Sequence, residues 1–559
     1  MTSDADRAFA GYAAATLDGL LEREPEWATS VGDHRHDDRL TVGTAAYYQE
    51  ASRWAGERLA GLAGIDAGRL SPQYQVDAQI LANQLTRLVF MIDELREHEW
   101  NPMVANPGRA IYNLLARDFA PLADRLRCAA RRLAMLPESL AAARAVLGAM
   151  PEIHIETALT QFAGTERLLT GELTRRAAEV EGAEVELSAV LPQALEALAE
   201  HARWLEERLA DGRRDGFRDP RLDADLFARK LRLVLDTELP VEQILARAEA
   251  DLARMTEELT VAAAELIGSE GGPARDNADV VRAALDSLAA DAPDDATILG
   301  FVRAAYAVQR DFVTAHDLVT VFDDALEVIP MPEIDRGVAV AYCDSPGPLE
   351  PAPLATFIAV SPTPADWTPQ RVASFYREYN RHMVHNLMVH EAMPGHYLQL
   401  QHSRRFAGSR TAIRAALRSG SFVEGWAVYA ERIMAEQGYR GEGDPRAVRM
   451  QQLKMQLRTI INAILDARIH GHGMTEAEAM ALMTERGHQE EGEAAGKWRR
   501  ALLTSAQLST YYVGYTEVSD LAGDLRAAEP GLADREVHDR MLAHGSPPAR
   551  LLRTLVLTG

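Results

Sequence analysis

Apolar residues recur every three or four positions from the beginning of the chain to about residue 325. This spacing places them on one face of an α-helix, so the region is predicted to form successive amphipathic helices. Residues 137–150 and 177–209 are two examples. The first is expected to begin at Pro137, because proline suits the first position of a helix. We therefore predict a helical N-terminal region.

The pattern changes between residues 326 and 362. Three short runs rich in β-branched residues occupy positions 328–330, 338–342 and 356–360, and proline and glycine separate them. Such runs are typical of strands, which predicts one small sheet of two to four strands. Helical spacing then resumes at Pro369 and continues to the end. The expected fold class is mainly α, with that sheet directly before the most unusual segment of the chain.

The composition is that of a globular protein and limits its partners. Of 559 residues, 47% are hydrophobic and 25% are charged, which excludes a largely disordered chain. The sequence has no run of about 18 apolar residues, so we expect no membrane span. A net charge of −24 repels nucleic-acid phosphates and anionic lipids. We therefore expect neither a nucleic acid nor a membrane as partner.

Cysteine usage and the first residues bear on location. Cys128 and Cys343 are the two cysteines and lie far apart in the sequence, so a disulfide framework or a thiolate zinc site is not expected. Residues 1–7 do not show the basic stretch followed by an apolar one that marks a secretory signal. These features predict a cytoplasmic protein and leave its oligomeric state open.

Five of the 16 histidines lie within residues 381–402. A metal site is suggested by the pair His390-Glu391 followed by His396. In zinc proteases, however, the two histidines of one helix lie four residues apart. A spacing of six puts side chains about 240° apart on an ideal helix. The pair Pro394–Gly395 could break the helix and bring His396 to the same ion. The alternative is a kinked helix whose histidines are packed or solvated.

A third ligand is available downstream. Glu424 and Glu431 are seven residues apart, which places them on one face of a predicted helix together with Ala427 and Val428. A carboxylate among apolar neighbours is costly unless it is paired or bound to a metal. Together with the upstream His-Glu pair, this favours Glu424 as a metal ligand. A solvated pair of surface glutamates is the alternative.

These segments resemble the signatures of a bacterial family, domain of unknown function 885, which is grouped with the zincin-like metallopeptidases. The run His390-Glu-Ala-Met-Pro-Gly-His396 is similar to its first signature, and residues 424–431 are similar to its second, Glu-Gly-Trp-Ala-x-Tyr-x-Glu. The resemblance extends over about residues 335–559. Further similar elements are Ser345–Leu349, Asp466 with His470, the group Gln507, Tyr511 and Gly514, and residues 537–539 with Gly545.

The resemblance implies a large multi-helix, zincin-like body whose catalytic region spans residues 326–559. Within this region we expect the small sheet at 326–362, next to the active-site helices at 370–435, and C-terminal helices at 445–559. The helical region 1–325 would form one wall of a cleft, which would favour short, unfolded substrates.

Roles at the metal follow from the same resemblance. His390, His396 and Glu424 would bind Zn, which this family resemblance makes the expected cofactor. Glu391 would act as the general base. Amide hydrolysis also forms an oxyanion that needs a hydrogen-bond donor. The candidate catalytic residues for this donor are Tyr511, which is preferred, Tyr512 and His470.

The residues expected on the substrate side depart from the family pattern. Ser505-Ala506 stand where Pro-Gly is common, and Tyr512 stands where a lysine is common. We predict that Gln507, Tyr512 and Arg468 contact a specialised substrate. Arg468 could hold a carboxylate through two hydrogen bonds, although a structural or surface salt bridge is the alternative.

Three functions are consistent with these features. The first is a zinc-dependent hydrolase of the metallopeptidase type, which cleaves amide bonds in small peptides or peptide-like metabolites. The second is a zincin scaffold recruited to metal-assisted biosynthetic chemistry, such as elimination, hydrolysis or ring formation, on an amino-acid-derived small molecule. The third is a metal-free helical binding protein, against which the complete set of His390, Glu391, His396 and Glu424 argues.

Overall fold

The computed structural model describes residues 3–268, 277–332, 340–364, 367–409 and 411–557. Helices dominate, and one small sheet interrupts them, so the predicted fold class is confirmed. The α-helices are α1 (Asp4–Arg23), α2 (Pro25–Val31), α3 (Ala45–Ala63), α4 (Pro72–Phe90), α5 (Gly108–Ala116), α6 (Leu122–Val146), α7 (Glu152–Leu168), α8 (Thr174–Ala177), α9 (Ala183–Asp215), α10 (Ala224–Leu235), α11 (Val241–Ile267), α12 (Asn277–Ala289), α13 (Ile298–Ala315), α14 (Pro369–Glu378), α15 (Arg381–Glu391), α16 (His396–Arg404), α17 (Ile413–Ala416), α18 (Gly420–Glu436), α19 (Pro445–His472), α20 (Glu476–Ala481), α21 (Glu491–Leu503), α22 (Ser509–Ala528), α23 (Asp534–Leu542) and α24 (Ala549–Leu557). Among these described residues, no helix is both long and apolar enough to cross a membrane.

Helix starts follow the usual capping chemistry. The side chains of Asn380 and Ser419 accept hydrogen bonds from the first turns of α15 and α18, and Asp444 does the same for α19. Pro137 does not follow the prediction, because it lies inside α6 rather than at a helix start. Leucines on both sides of this proline are buried in one core, and such packing can outweigh the local cost of proline.

The chain divides into two compact units. Unit 1 comprises Met1–Arg221, Pro346–Leu354 and Ser409–Leu417. Its helices α5, α6, α7 and α9 enclose a core of leucine, alanine and phenylalanine side chains. A buried ion pair between Arg414 and Asp77 fixes α17 to α4 within this unit.

Unit 2 comprises Leu222–Ser345, Ala355–Gly408 and Arg418–Gly559. Residues 222–325, which the sequence grouped with the N-terminal region, therefore pack with the residues expected to be catalytic. The core of unit 2 forms around α13, α15, α16, α18 and α22–α24 together with the sheet.

The sheet has three strands, β1 (Leu326–Pro330), β2 (Ala341–Asp344) and β3 (Thr356–Val360), in the order β1-β3-β2. The central strand β3 pairs parallel to β1 and antiparallel to β2. The predicted small sheet is thus confirmed, although positions 338 and 339 of the second predicted run lie outside the described residues. Strand β2 lies beside α15 and brings its backbone to the end of that helix.

Candidate metal centre

The two histidines of the first signature lie on two separate helices. α15 ends at Glu391, the backbone of Ala392 leaves the helical region, and α16 begins at His396 after a cis peptide bond at Pro394. The helix break that Pro394–Gly395 made possible between the histidines is therefore present. Because α16 starts a new helix, the 240° separation of an unbroken helix does not apply. The imidazole rings of His390 and His396 lie 4.6 Å apart, measured between centroids.

Two contacts shape the turn between these helices. The backbone N–H of Gly395 donates to the carbonyl of Val389 at 3.0 Å, and a Cβ at Gly395 would lie only 1.9 Å from the carbonyl oxygen of His390. No residue with a side chain fits this approach. On the other side, the indole Nε1 of Trp426 donates to the carbonyl of Pro394 at 2.8 Å. The turn is thereby fastened to α18.

Helix α18 carries Glu424 and is itself held by α22. The two helices cross at Gly425 and Gly514, where a Cβ on Gly514 would lie 1.9 Å from the carbonyl oxygen of Ser421. Paired glycines permit this close approach of two helix backbones. Glu424 therefore lies at a backbone contact that leaves α18 little freedom to shift.

Three ligand atoms converge at this point: Nε2 of His390, Nε2 of His396 and one oxygen of Glu424, all within 4.8 Å of one another. Glu424 Oε2 lies 3.3 Å from His390 Nε2 and 3.5 Å from His396 Nε2. Charge-assisted hydrogen bonds are shorter, at about 2.7–2.9 Å. Tetrahedral coordination with bonds of about 2.0–2.2 Å separates ligand atoms by about 3.3–3.6 Å. The two separations from Glu424 thus fit a tetrahedral ion better than direct hydrogen bonds.

The chemistry of the donor set also fits zinc. Two imidazoles and one carboxylate are the protein ligands of a catalytic zinc site. Glu424 Oε2 is buried and has no hydrogen-bond partner among the residues that the structure describes, and a buried carboxylate oxygen in that condition is costly unless a cation binds it.

Glu431 orients His390, a role that we did not assign from the sequence. Glu431 Oε1 accepts a hydrogen bond from His390 Nδ1 at 2.7 Å, and its Oε2 accepts one from the side-chain amide of Asn386 at 2.6 Å. With its proton on Nδ1, His390 presents the lone pair of Nε2 to the cluster. The sequence did carry a signal, because Glu431 shares the buried face of Glu424.

Glu391 lies beside the cluster and is held by the sheet. The backbone N–H of Cys343, in β2, donates to Glu391 Oε2 at 2.9 Å. Burial raises the pKa of Glu391, and the positive charges of His390 and His396 only partly offset this. A carboxylate whose pKa is raised towards neutral can both accept and return a proton.

The cluster favours positive charge at its centre. Burial alone would lower the pKa of His390, but the interactions with the carboxylates of Glu424 and Glu431 outweigh it and raise that pKa well above its usual value. Burial alone would raise the pKa of Glu424, and there the charge of His396 and the contact with His390 prevail and lower the pKa. Both shifts mean that the carboxylates make this place attractive to positive charge.

Gln507 and Tyr511 form one hydrogen-bonded group with Arg500, which we did not predict. Arg500 Nη2 donates to Gln507 Oε1 at 2.9 Å and to the Tyr511 hydroxyl at 3.3 Å. Tyr511 lies on α22 three residues before Gly514, the residue that meets α18 next to Glu424. One helical turn is about 5.4 Å, so Tyr511 lies about one turn of α22 from that contact.

His470 and Asp466 have structural partners. His470 is buried, its Nδ1 accepts from the backbone N–H of Leu222 at 3.2 Å, and its Nε2 faces the carbonyls of Ala501 and Thr504. Asp466 accepts from two backbone N–H groups and one hydroxyl at the start of α22. Since both ring nitrogens are engaged by backbone, the geometry favours a structural role for His470 over the predicted catalytic one.

Tyr512 and Arg468 also point to partners away from the three ligands. The Tyr512 hydroxyl donates to Asp251 of α11 at 2.7 Å. Arg468 is 41% exposed and pairs with Glu249, which also lies on α11. For Arg468 the geometry favours the surface salt bridge that the sequence left as an alternative.

The remaining histidines of the segment are packed elsewhere. His385 Nδ1 lies 2.9 Å from the Tyr439 hydroxyl, and His402 Nε2 donates to the carbonyl of Thr320 at 2.8 Å. His382 lies 3.7 Å from Asp291. These three histidines are packed against other residues, as the alternative to metal binding supposed. His390 and His396 instead face each other and Glu424.

Comparison with known proteins places the chain in a family. Residues 25–556 match the family described as bacterial protein of unknown function (DUF885). The chain belongs to the DUF885 family. No curated protein matches it.

Solved structures of the same fold are available. One, described as "a putative lipoprotein of unknown function" from Shewanella oneidensis, is 28% identical over 98% of this chain and 99% of its own, with a TM-score of 0.84. Another, described as "the putative lipoprotein" from Colwellia psychrerythraea, is 16% identical over 99% and 98%, with a TM-score of 0.78. An M32 carboxypeptidase from Deinococcus radiodurans R1 covers 92% and 94% at 11% identity, and its TM-score of 0.36 is too low for any inference.

These descriptions correct one prediction. A lipoprotein is held at a membrane by its lipid, and these two structures are described as putative lipoproteins. The prediction of a cytoplasmic protein, drawn from the cysteines and the first residues, is therefore wrong. Neither of those features reports on lipid attachment.

Proposed function

We propose that this protein is a zinc-dependent hydrolase of the metallopeptidase type, which cleaves amide bonds in small peptides or peptide-like metabolites. The observation that carries the proposal is the convergence of His390, His396 and Glu424 within 4.8 Å, with Glu424 at distances from both histidines that suit a tetrahedral ion. The buried Glu391 next to them supplies the acid–base group that hydrolysis needs.

His390, His396 and Glu424 would hold the zinc ion. When bound, zinc supplies Lewis acidity, which polarises an amide carbonyl and makes water easier to deprotonate. Glu431 keeps the proton of His390 on Nδ1, so that Nε2 remains a ligand.

Glu391 would move the proton during hydrolysis. One carboxylate oxygen takes a proton from the attacking water and later delivers it to the leaving nitrogen of the amide. The hydrogen bond from the Cys343 backbone holds Oε2 in place, which leaves Oε1 for this transfer. The raised pKa of Glu391 suits a group that must hold the proton between the two steps.

Tyr511 would donate to the oxyanion that forms on the carbonyl. Its hydroxyl accepts hydrogen bonds from Arg500 and Gln507, at 3.3 Å each, and this leaves its own proton available to a substrate. Donation from a cation polarises the hydroxyl and makes it a stronger donor. Gln507 and Arg500 would thus position Tyr511.

Metal content and activity together test the proposal. Protein purified without chelator or nickel affinity resin should contain about one zinc per chain by mass spectrometry, and the variant His390→Ala/Glu424→Ala should contain none. A set of di- and tripeptides, assayed for released amine, should identify a substrate. Glu391→Gln should keep zinc and lose about 10²- to 10⁴-fold in rate.

Glu436→Gln is the matched control, because Glu436 lies on α18 but is exposed and pairs with Arg432. It should keep both zinc and activity. A wild-type protein without zinc after reconstitution would refute the metal site. A protein that binds zinc but cleaves no peptide, or a Glu391→Gln variant of full activity, would refute the hydrolase assignment.

A further inference from the structure

Lys497, on α21, is a buried cation without a partner. Only 6% of its surface is exposed. Among the described residues, it makes neither a hydrogen bond nor an ion pair. Its Nζ is not one of the fully buried atoms that lack a partner, so the stem of the side chain is buried while the ammonium group keeps some contact with solvent. An unpaired ammonium held in this way can receive an anion from solution.

The neighbours of Lys497 increase the positive charge. Arg458 and Arg500 both act on Lys497 electrostatically, and Glu493 is the acidic group that acts on it. Glu493 is already paired with Arg458. Arg500 is hydrogen-bonded to the neutral side chains of Gln507 and Tyr511. Lys454 also acts on Glu493, and Glu378 also acts on Arg458. Four cations thus share two carboxylates, which leaves about two formal positive charges uncompensated.

Lys454 shows what an ordinary buried lysine looks like in the same fold. It is 7% exposed, almost the same as Lys497, but its Nζ lies 2.8 Å from Glu378. The fold can therefore neutralise a buried lysine with a carboxylate, and it has not done so for Lys497.

We propose that Lys497, Arg458 and Arg500 form an anion site that receives a carboxylate group of the substrate. Arginine and lysine together suit a carboxylate, since arginine offers a planar fork and lysine a point charge. Arg500 links this anion site to Tyr511, and Tyr511 lies within about one helical turn of the contact beside Glu424. That the carboxylate belongs to the substrate rests on the proposed function, whereas anion binding itself does not require zinc.

The titration of Lys497 is consistent with this assignment. Burial lowers its pKa well below the usual value, and the charges of Arg458 and Arg500 lower it further. A bound carboxylate would oppose both effects, because its negative charge favours the charged form of Lys497.

Two lysine variants test whether Lys497 carries uncompensated charge. Lys497→Met removes the charge and keeps the length of the side chain, so the ligand-free protein should unfold at a temperature about 2 °C higher or more. Lys454→Met is the matched control, and it should unfold at a lower temperature because Glu378 loses its partner. A lower unfolding temperature for Lys497→Met would contradict the proposal.

Small probe ligands test the chemistry of the site. N-acetylglycine, titrated into chelator-treated wild-type protein, should raise the unfolding temperature progressively. N-acetylglycinamide, which lacks the carboxylate, should not, and neither probe should act on Lys497→Met. A response to inorganic phosphate equal to that to N-acetylglycine would contradict a carboxylate site, as would a response that survives in Lys497→Met.

The same experiment separates this proposal from the zinc hydrolase. Because the probes are titrated into chelator-treated protein, binding does not require the metal. Binding of N-acetylglycine in a protein that proves to have no zinc and no hydrolytic activity would leave the anion site intact and refute only the proposed function. Zinc and activity without any response to N-acetylglycine would refute only the anion site. Lys497→Arg, which keeps the charge, should retain the response.

Discussion

Replacement of Glu431 by glutamine should weaken zinc binding by about 10- to 100-fold. The carboxylate accepts from His390 Nδ1 through Oε1 and from Asn386 Nδ2 through Oε2. Glutamine has the same shape but offers one oxygen and one NH₂ group. Whichever way the amide is turned, an N–H faces one of the two N–H donors, so one hydrogen bond is lost.

The magnitude can be reached in two ways. Loss of a hydrogen bond to a charged group costs about 1.5–3 kcal/mol. A 10- to 100-fold loss of affinity corresponds to about 1.4–2.8 kcal/mol. The two ranges agree because the bond that Glu431 makes to His390 is also the contact that keeps Nε2 free for the metal. If Asn386 loses its partner instead, His390 keeps its orientation and the effect lies at the lower end.

Competition with a chromophoric chelator measures the change. Apo protein is titrated with zinc at pH 7.5 in the presence of the chelator, for wild type, Glu431→Gln and the control Glu436→Gln. Thermal unfolding of the apo proteins checks that each variant is folded. A zinc affinity for Glu431→Gln within twofold of wild type would show that the hydrogen bond to His390 does not orient a ligand. An equal loss in Glu436→Gln would attribute the effect to α18 as a whole.

Three further predictions concern stability and the turn. Burial raises the pKa of Glu517 from 4.5 to about 7. Wild type should therefore lose up to about 3 kcal/mol of stability as the pH rises from 4.5 to 7. Glu517→Gln should unfold at a higher temperature than wild type at pH 8 but not at pH 4.5, and the same difference at both pH values would refute this. Gly514→Ala should lower the unfolding temperature, because its Cβ would overlap the carbonyl of Ser421; unchanged melting would show that α18 and α22 can separate. Gly395→Ala should bind less than a tenth of the zinc of wild type at equal free zinc, because its Cβ would overlap the carbonyl of His390; full zinc content by mass spectrometry would refute it.

Local spacing predicted most of the architecture. Apolar periodicity identified the helical regions, and the β-branched runs located the strands because tertiary packing agreed with local preference. Pro137 shows where such agreement ends. A proline is compatible with both a helix start and a tolerated interior position, and the buried leucines on either side of it in α6 decide between them. That decision depends on α9, which lies far along the chain.

The three candidate ligands could be named from the sequence, whereas their geometry and the surrounding Glu431 and Arg500 could not. The break at Pro394–Gly395 could be expected from the residue types, yet its direction depends on the contact of Trp426 with the carbonyl of Pro394. Similarly, the motif that contains His470 did not reveal that backbone groups engage both of its ring nitrogens. Membership in a motif fixes a residue type, and only the fold shows which atoms remain free.

Lys497 illustrates a signal that sequence periodicity does contain. Ala494, Lys497, Trp498 and Ala501 follow the three- and four-residue spacing of one helix face, and all four are buried. A lysine on such a face must find an anion, reach solvent or remain unpaired. For Lys454 the partner is Glu378, 76 residues away in the sequence, which no local pattern could identify. The position of a buried lysine is thus readable from periodicity, whereas its partner, or the lack of one at Lys497, emerges only from the tertiary structure.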